Sequence, residues 1–152
     1  MLISFNLGGF LHFFGQRQVN DGAWHQIVAV REAGRLYVYV DGTLDTDSQT
    51  GLPYKNISAA TTESPFNLRA LGNRGTPHEW FGGCLDDVRA YARALTANEL
   101  AAQYNNGLGA PVVAEGGLLF GFTFDETGGD ALDVTSNQRH GQLLGGATRV
   151  VR

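Results

Sequence analysis

Oxygen-bearing side chains crowd one stretch near the end of the chain. Acidic and amide groups there belong to Asp125, Glu126, Asp130, Asp133 and Asn137. Hard oxygen ligands of this kind suit Ca²⁺, which takes roughly six to eight of them, backbone carbonyls included. The spacing differs from that of an EF-hand loop, so a second interpretation stays open, that of turn-forming acids in a solvated loop. If Ca²⁺ binds, we expect Asp133 and Asn137 to be ligands, followed by Asp86.

Two pairs of neighbouring residues have the types needed for acid–base or nucleophilic chemistry. Asp86 and Asp87 are adjacent in a strand-like run, and neighbouring side chains in a strand point to opposite faces. They therefore cannot form a paired acid–base site with each other, and one of them is expected to bond the loop backbone, a metal or a nearby arginine. His25 follows Trp24, but no serine or cysteine nucleophile is identified for it. We expect His25 to be a hydrogen-bonded structural residue.

A set of aromatic side chains offers flat apolar surfaces on which sugar rings can stack. The candidates are Tyr37, Tyr39, Trp80, His78 and Tyr54. Tyr37 and Tyr39 alternate with the aliphatic residues of the run 36–40, so the two tyrosines share one face of a strand and the aliphatic side chains share the other. Tyr37, Tyr39 and Trp80 are the expected ligand-binding residues, and packing is the alternative role for each.

The elements that must position these residues are mostly short strands. Two apolar runs, 2–7 and 10–14, flank a glycine pair in a pattern typical of a β-hairpin. Residues 24–31 and 35–41 form a second strand pair, separated and followed by glycine turns. Further strands are expected within 66–71, 80–91 and 118–124 and near Leu143 and Val150.

One helix is predicted, over about residues 96–105. Thr96 and Glu99 form a T-x-x-E capping box, and Leu95 and Leu100 stand at the positions of a hydrophobic staple around it. An Asn-Asn-Gly run supplies the stop signal. Since this helix has about three turns at most, we predict an all-β chain, an antiparallel sandwich with one short helix.

Composition and charge narrow the classes of function. The chain has 152 residues, 43% of them apolar and 17% charged, and its 21 glycines are scattered between apolar runs. These values indicate one globular domain with many tight turns. The net charge is −4 with no basic block, which argues against a nucleic-acid partner, and no apolar run approaches the ~18 residues of a membrane span. The lone Cys84 cannot form an internal disulfide and is expected to be a buried thiol.

Two segments resemble the signatures of one family. Residues 20–42, NDGAWHQIVAVREAGRLYVYVDG, resemble the D-G-x-W-H … Y-V-D-G hairpin of laminin-G-like domains. Those domains belong to the concanavalin A-like lectin/glucanase jelly rolls, which include pentraxins. Residues 81–104, FGGCLDDVRAYARALTANELAAQY, resemble the closing signature of the family. The resemblance implies a jelly-roll β-sandwich in which Trp24 is a core and turn residue, and many domains of this type bind one Ca²⁺.

A third segment, 117–150, resembles the opening of such a domain, although it follows the closing signature here. It includes the run LLFGFTFDETGG and later GQLLGGATRV. Ser136 stands where the family usually has glycine, and the strands that the family places between this opening and the W-H hairpin are missing.

Two explanations of that order stay open. In the first, the chain joins the end of one tandem repeat, 1–106, through a linker at 107–117 to the start of the next at 118–152. In the second, residues 1–152 are a single sandwich whose segments are permuted. In both, an apolar strand needs a partner, so we expect Leu118–Phe124 to pair, within one sandwich, with residues before 105.

The resemblance implies a non-catalytic module that binds carbohydrate or protein in a secreted or cell-surface multidomain protein, with neighbouring domains in a longer chain. Residues 1–15 make a poor secretion signal, so this location rests on the resemblance. The alternative is a structural spacer repeat of an adhesin. Glycoside hydrolysis is disfavoured, because some glucanases of this fold use an E-x-D-x-x-E strand that supplies two glutamates and an aspartate, and no such run occurs.

Overall fold

The computed structural model describes residues 3–6, 10–57, 71–72 and 81–150. The chain divides into two compact units. The first unit comprises Met1–Pro65 with Ala94–Ala110, and the second comprises Phe66–Arg93 with Pro111–Arg152. Each unit therefore combines segments that are far apart in the sequence. None of the helical segments among the described residues has the length and hydropathy needed to traverse a bilayer.

The first unit begins with a β-hairpin. Strands β1 (Ile3–Asn6) and β2 (Phe10–Phe13) pair antiparallel, with Ile3 opposite Phe13 and Asn6 opposite Phe10. The predicted hairpin is confirmed, while its glycine pair lies outside the described residues. Phe13, at the end of β2, is fully buried.

A four-stranded antiparallel sheet follows, with β4 (Arg35–Val40) at its centre. Strand β3 (Ile27–Glu32) pairs along one edge of β4, and the short strands β5 (Thr43–Leu44) and β6 (Lys55–Asn56) pair with β4 nearer its two ends. Asp41 and Gly42, which connect β4 to β5, both have positive φ, of 53° and 68°. A two-residue hairpin turn of type I′ requires this conformation at both positions.

Alternation along β4 divides the sheet into two faces. Leu36, Val38 and Val40 are buried on one face, while Tyr37 and Tyr39 are half-buried on the other. The predicted strand pair and its alternation are confirmed.

The helix α1 spans Ala97–Tyr104. Its capping box forms as predicted: the Thr96 hydroxyl accepts from the Glu99 amide at 3.3 Å, and the Glu99 carboxylate accepts from the Thr96 amide at 2.8 Å. The helix ends where Asn105 adopts a left-handed conformation, with φ of 47°. Leu100 is fully buried, which is expected of a staple residue.

The second unit is built around a strand pair that joins distant parts of the chain. Strands β7 (Val88–Tyr91) and β8 (Leu118–Phe122) pair antiparallel, with Val88 opposite Phe122 and a bulge near Tyr91. This confirms that the segment beginning at Leu118 pairs with residues before 105, while the single sandwich that was expected to contain the pair stays a prediction. The buried cluster here comprises Phe120, Phe122 and Ala131.

Four local predictions were wrong. Cys84 is exposed rather than buried, and Trp24 is 60% exposed rather than part of a core. Asp86 and Asp87 precede β7 and do not lie in it, because Asp87 has a φ of 49°, which breaks the extended backbone. No strand forms over 142–150, where a turn with positive φ at both Gly145 and Gly146 interrupts the segment. Of the candidate strand at 66–71, all but residue 71 lies outside the described residues.

Candidate functional site

A cleft of about 310 Å³ opens in the first unit over the tyrosine face of the sheet. Its lining combines sheet residues with the segment that leads into the helix: Val30, Glu32, Tyr37, Tyr39, Ala94, Leu95, Thr96 and Ala97. Two of the three predicted ligand-binding residues are thus brought together in one concave site. The third, Trp80, lies outside the described residues, as does His78.

The register of the β3–β4 hairpin decides which side chains share the cleft. Tyr37 lies opposite Val30 and Tyr39 lies opposite Val28, and directly opposed residues of an antiparallel pair point to the same face. The same register places Glu32 on this face, next to the turn. Glu32 was missed as a site residue, although strand alternation and a two-residue turn in the sequence would have located it.

Side chains next to the cleft hold Tyr37 in place. Its ring packs against that of Tyr54 at 6.0 Å between centroids and 57° between planes, and the Arg35 guanidinium lies 4.5 Å above the Tyr54 ring. A hydrogen bond to Tyr37 raises the pKa of Arg35, with a smaller electrostatic contribution from Tyr54. Tyr54 therefore supports Tyr37 and does not itself line the cleft.

The chemistry of the cleft is that of two aromatic rings beside a few polar groups. Glu32 is the only charged residue of its lining. The wall at Thr96 and Ala97 is the start of α1, where the aligned peptide dipoles concentrate partial positive charge. A ligand that has an apolar ring face with hydroxyl groups at its edge would match this lining. The tyrosine rings could pack on the ring face, and the Glu32 carboxylate could accept hydrogen bonds from the hydroxyl groups.

His25 is structural, as predicted, and both of its ring nitrogens are engaged. Nδ1 lies 2.8 Å from an Asp41 carboxylate oxygen and Nε2 lies 3.0 Å from one of Asp21. The other oxygen of Asp41 accepts from the Gln26 amide at 2.9 Å. Hydrogen bonds to Asp41 and then Asp21 raise the pKa of His25. Neither of these two partners is a nucleophile. By bonding to both carboxylates, His25 links the turn at Asp21 to the turn at Asp41.

Asp86 and Asp87 adopt separate roles in the turn before β7. A carboxylate oxygen of Asp86 accepts from the Asp87 amide at 3.0 Å, which is the bond to loop backbone that the sequence predicted for one of the two. Burial raises the pKa of Asp87, with the opposing charge of Arg89 lowering it and the like charge of Asp125 raising it further. The proximity of Asp87 to Asp125 was not foreseen from the sequence.

Asp133 is a buried structural acceptor. One of its carboxylate oxygens accepts from the amides of Gly121 (3.0 Å) and Thr135 (2.9 Å), and the other accepts from the Thr135 hydroxyl (2.8 Å) and the Arg139 amide (3.0 Å). Burial alone would raise the pKa of Asp133, but these hydrogen bonds outweigh it and lower the pKa.

The residues expected to bind Ca²⁺ do not fit that ion in this arrangement. The donor hydrogens around Asp133 occupy the positions that a cation would need. Asn137 donates to the Leu119 carbonyl at 2.9 Å, and Asp86 faces its own turn. Among the described residues no three histidine, cysteine or acidic side chains are grouped to hold a metal.

A buried ion pair in the first unit was also missed. Asp47 is fully buried and lies 3.1 Å from the ammonium of Lys55, the only lysine of the chain. Burial opposes ionisation of Asp47, but hydrogen bonds from the Gln49 amide and Lys55 outweigh it and lower the pKa. The sequence could not predict this pair from hydrophobic periodicity, because both residues lie in a stretch with little regular secondary structure.

Comparison with known families agrees with this geometry. A laminin G family model, described as concanavalin A-like lectin/glucanases superfamily, matches residues 5–101. The match includes the β3–β4 hairpin, the closing signature up to residue 101 and the start of α1, and it leaves the opening-like segment at 117–150 outside. It confirms the β-sandwich fold class, in keeping with the antiparallel strands and single short helix of the described residues. No curated protein and no solved structure gave a significant match.

Proposed function

The chain belongs to the concanavalin A-like lectin/glucanases superfamily, and from that premise we propose that it is a non-catalytic binding module for a neutral saccharide. The observation that carries this proposal is the cleft in which Tyr37, Tyr39 and Glu32 converge beside the start of α1. Family membership alone is consistent with binding of either carbohydrate or protein. The cleft favours carbohydrate.

The size of the cleft supports a small ligand. Its volume of about 310 Å³ lies at the lower end of the range of roughly 300–1,000 Å³ for ligand pockets. One or two sugar rings would fill a cleft of this volume, whereas a protein partner requires an extended contact surface.

The charge of the cleft supports a neutral ligand. Glu32 is the only acidic or basic residue of its lining, and a carboxylate there disfavours a carboxylated or sulfated sugar beside it. The same carboxylate can accept two hydrogen bonds from neighbouring hydroxyl groups while an apolar ring face lies on Tyr37 or Tyr39.

The lining also supports binding without hydrolysis. Glycosidases of the usual kind place two carboxylates on either side of the scissile bond, and Glu32 is the only carboxylate among the residues that line the cleft. Asp87, with its raised pKa, lies outside this set. Release of reducing sugar by the purified protein, abolished in Asp87→Asn, would establish an enzyme and contradict the proposal.

We place the module outside the cell or at its surface, as part of a longer multidomain protein. Laminin-G-like domains typically occupy such positions, and the family match supports the same location here. Detection of the native protein by antibody on intact, non-permeabilised cells would support this location, and detection only after permeabilisation would contradict it.

The decisive experiment measures binding to an array of neutral and acidic oligosaccharides, followed by calorimetry with the best ligand. Tyr37→Ala and Tyr39→Ala are each expected to weaken binding about tenfold or more, which corresponds to roughly 1.4 kcal/mol. Glu32→Gln should weaken it too, since an amide can accept at only one of the two positions.

Phe81→Ala is the matched control, because Phe81 is an exposed aromatic residue that does not line the cleft. Its affinity should equal that of the wild type. A folded protein that binds no saccharide would instead support the structural spacer, and a preference for acidic sugars or peptides would contradict the neutral ligand.

A further inference from the structure

The guanidinium of Arg149 organises the oxygen-rich loop at 124–130 in the second unit. Nη1 donates to the Phe124 carbonyl at 3.3 Å and to the Glu126 carboxylate at 2.7 Å. Nη2 donates to the carbonyls of Gly129 at 3.1 Å and Asp130 at 2.9 Å. One side chain therefore gathers three backbone carbonyls and one carboxylate of a single loop.

This set of acceptors is of the type that a Ca²⁺ ion collects. Ca²⁺ binds backbone carbonyls and carboxylates, and the same acceptors here converge on a guanidinium. Arginine is suited to this role because its charge is permanent and its donors lie in a rigid planar fork. The side chains of Arg149 and Glu126 are each only 16% exposed, so the pair is shielded from solvent.

The carboxylates of Glu126 and of Asp133, which lies just after the loop, are both engaged by further protein donors. The second carboxylate oxygen of Glu126 accepts from the Leu132 amide at 2.6 Å. Asp133, next along the chain, receives two protein donors on each oxygen. Binding of a cation by either residue would require these hydrogen bonds to break.

We propose that Arg149 is the internal cation of the 124–130 loop and that it closes this loop without Ca²⁺. The segment that looked from the sequence like a candidate calcium loop is thus a calcium-independent turn. This inference concerns the second unit alone and does not depend on the saccharide site of the first.

The test compares thermal unfolding of the chelator-treated protein with and without millimolar Ca²⁺, together with calorimetric titration by Ca²⁺ alone. The wild type should unfold at the same temperature in both conditions and give no binding heat. Arg149→Met should lower the midpoint by roughly 4–10 °C, because several charge-assisted hydrogen bonds are lost at once.

Arg17→Met is the control, since Arg17 is an exposed arginine of the first unit, and its midpoint should match that of the wild type. Arg149→Lys keeps the charge but loses the planar fork, so it should recover only part of the stability. If Arg149→Met does not fold, hydrogen exchange at the Leu132 amide in Arg149→Lys reports the same effect as faster exchange there than in the wild type.

Two results would overturn the proposal. The first is a Ca²⁺ titration of the wild type with binding heat and a raised unfolding midpoint. The second is an Arg149→Met protein as stable as Arg17→Met, or unchanged exchange at Leu132 in Arg149→Lys. Neither readout involves a saccharide, so failure here is distinguishable from failure of the proposed function.

Discussion

Several charged side chains in the described loops are held by specific opposite charges or by groups of amides. His25 bridges Asp21 and Asp41, Lys55 pairs with buried Asp47, and Arg149 pairs with Glu126. The residue types were visible in the sequence, but the partners were not, because the members of these pairs are separated by 4 to 23 residues along the chain. Only folding brings them within hydrogen-bond distance.

The two carboxylates around His25 predict a pH-dependent stability. Since the folded-state pKa of His25 is raised above its ordinary 6.5, its stabilising contribution is complete below about pH 6.5 and is lost as the pH rises through the raised value. A neutral imidazole can donate to only one of the two carboxylates. We expect the free energy of unfolding, measured by urea titration across this window, to fall more steeply in the wild type than in His25→Gln.

Nuclear magnetic resonance titration of the His25 ring gives the direct measurement. Asp41→Asn and Asp21→Asn should each move the titration of His25 to lower pH than in the wild type, with the larger effect for Asp41, whose hydrogen bond contributes most. A wild-type His25 that titrates at or below 6.5 would contradict this interpretation.

At the scale of elements, the sequence predicted the positions of strands and the helix correctly where hydrophobic periodicity and turn or capping residues agreed. Strand β4, the capping box of α1 and strand β8 lie within their predicted bounds, and β3 runs one residue beyond its predicted end, to Glu32. The strands predicted near Leu143 and Val150 do not form, because the apolar residues of 142–150 have no pairing strand among the described residues and a glycine turn interrupts them. The prediction that Asp86 and Asp87 lie in a strand was wrong because Asp87 adopts a left-handed conformation before β7, and aspartate adopts this conformation more readily than most residues.

Gly121, the penultimate residue of β8, is required because a neighbouring side chain approaches its backbone closely. A Cβ atom there would lie 2.6 Å from Cγ1 of Val112, which is itself buried. We expect Gly121→Ala to reduce the free energy of unfolding by about 1–3 kcal/mol through overpacking. Chemical denaturation followed by circular dichroism measures the change.

Two further variants separate this clash from a general effect of alanine. Gly128→Ala should alter stability by less than about 0.5 kcal/mol, because a Cβ atom there meets no atom within 4 Å. Adding Val112→Ala to Gly121→Ala should recover part of the loss that the clash causes. A Gly121→Ala protein as stable as Gly128→Ala would show that the neighbours relax freely.

At the scale of the whole molecule, the order of the motifs differs from the order in which their strands pair. Strand β8, which resembles the start of a domain, pairs with β7, which belongs to the closing signature. The helix and a small-residue connector lie between them in the sequence. The tandem-fragment and permuted-domain explanations both remain predictions, since both allow this pairing.

The pairing of β7 with β8 predicts that loss of packing in β8 weakens β7, which is distant in the sequence. Phe120 is 6% exposed and belongs to the buried cluster of the second unit, so Phe120→Ala should destabilise that unit by about 3–5 kcal/mol. Amide hydrogen exchange at Val88–Tyr91 should accelerate, because these residues lose the packing of their partner strand.

Val113→Ala is the matched control for this change. Val113 lies in the connector that precedes β8 and is 56% exposed. Its truncation should change stability by less than about 0.5 kcal/mol. Unchanged exchange at Val88–Tyr91 in Phe120→Ala would mean that β8 does not support β7.

The sequence by itself determined the class of fold, the β3–β4 hairpin, the capped helix and the face on which Tyr37 and Tyr39 lie, because each depends on periodicity or turn chemistry within a few residues. Tertiary structure decided that Glu32 and the start of α1 complete a cleft with those tyrosines. It also decided that Arg149 holds the acidic loop. These arrangements depend on contacts between segments far apart in the chain, and no local pattern specifies the partner of a long-range contact.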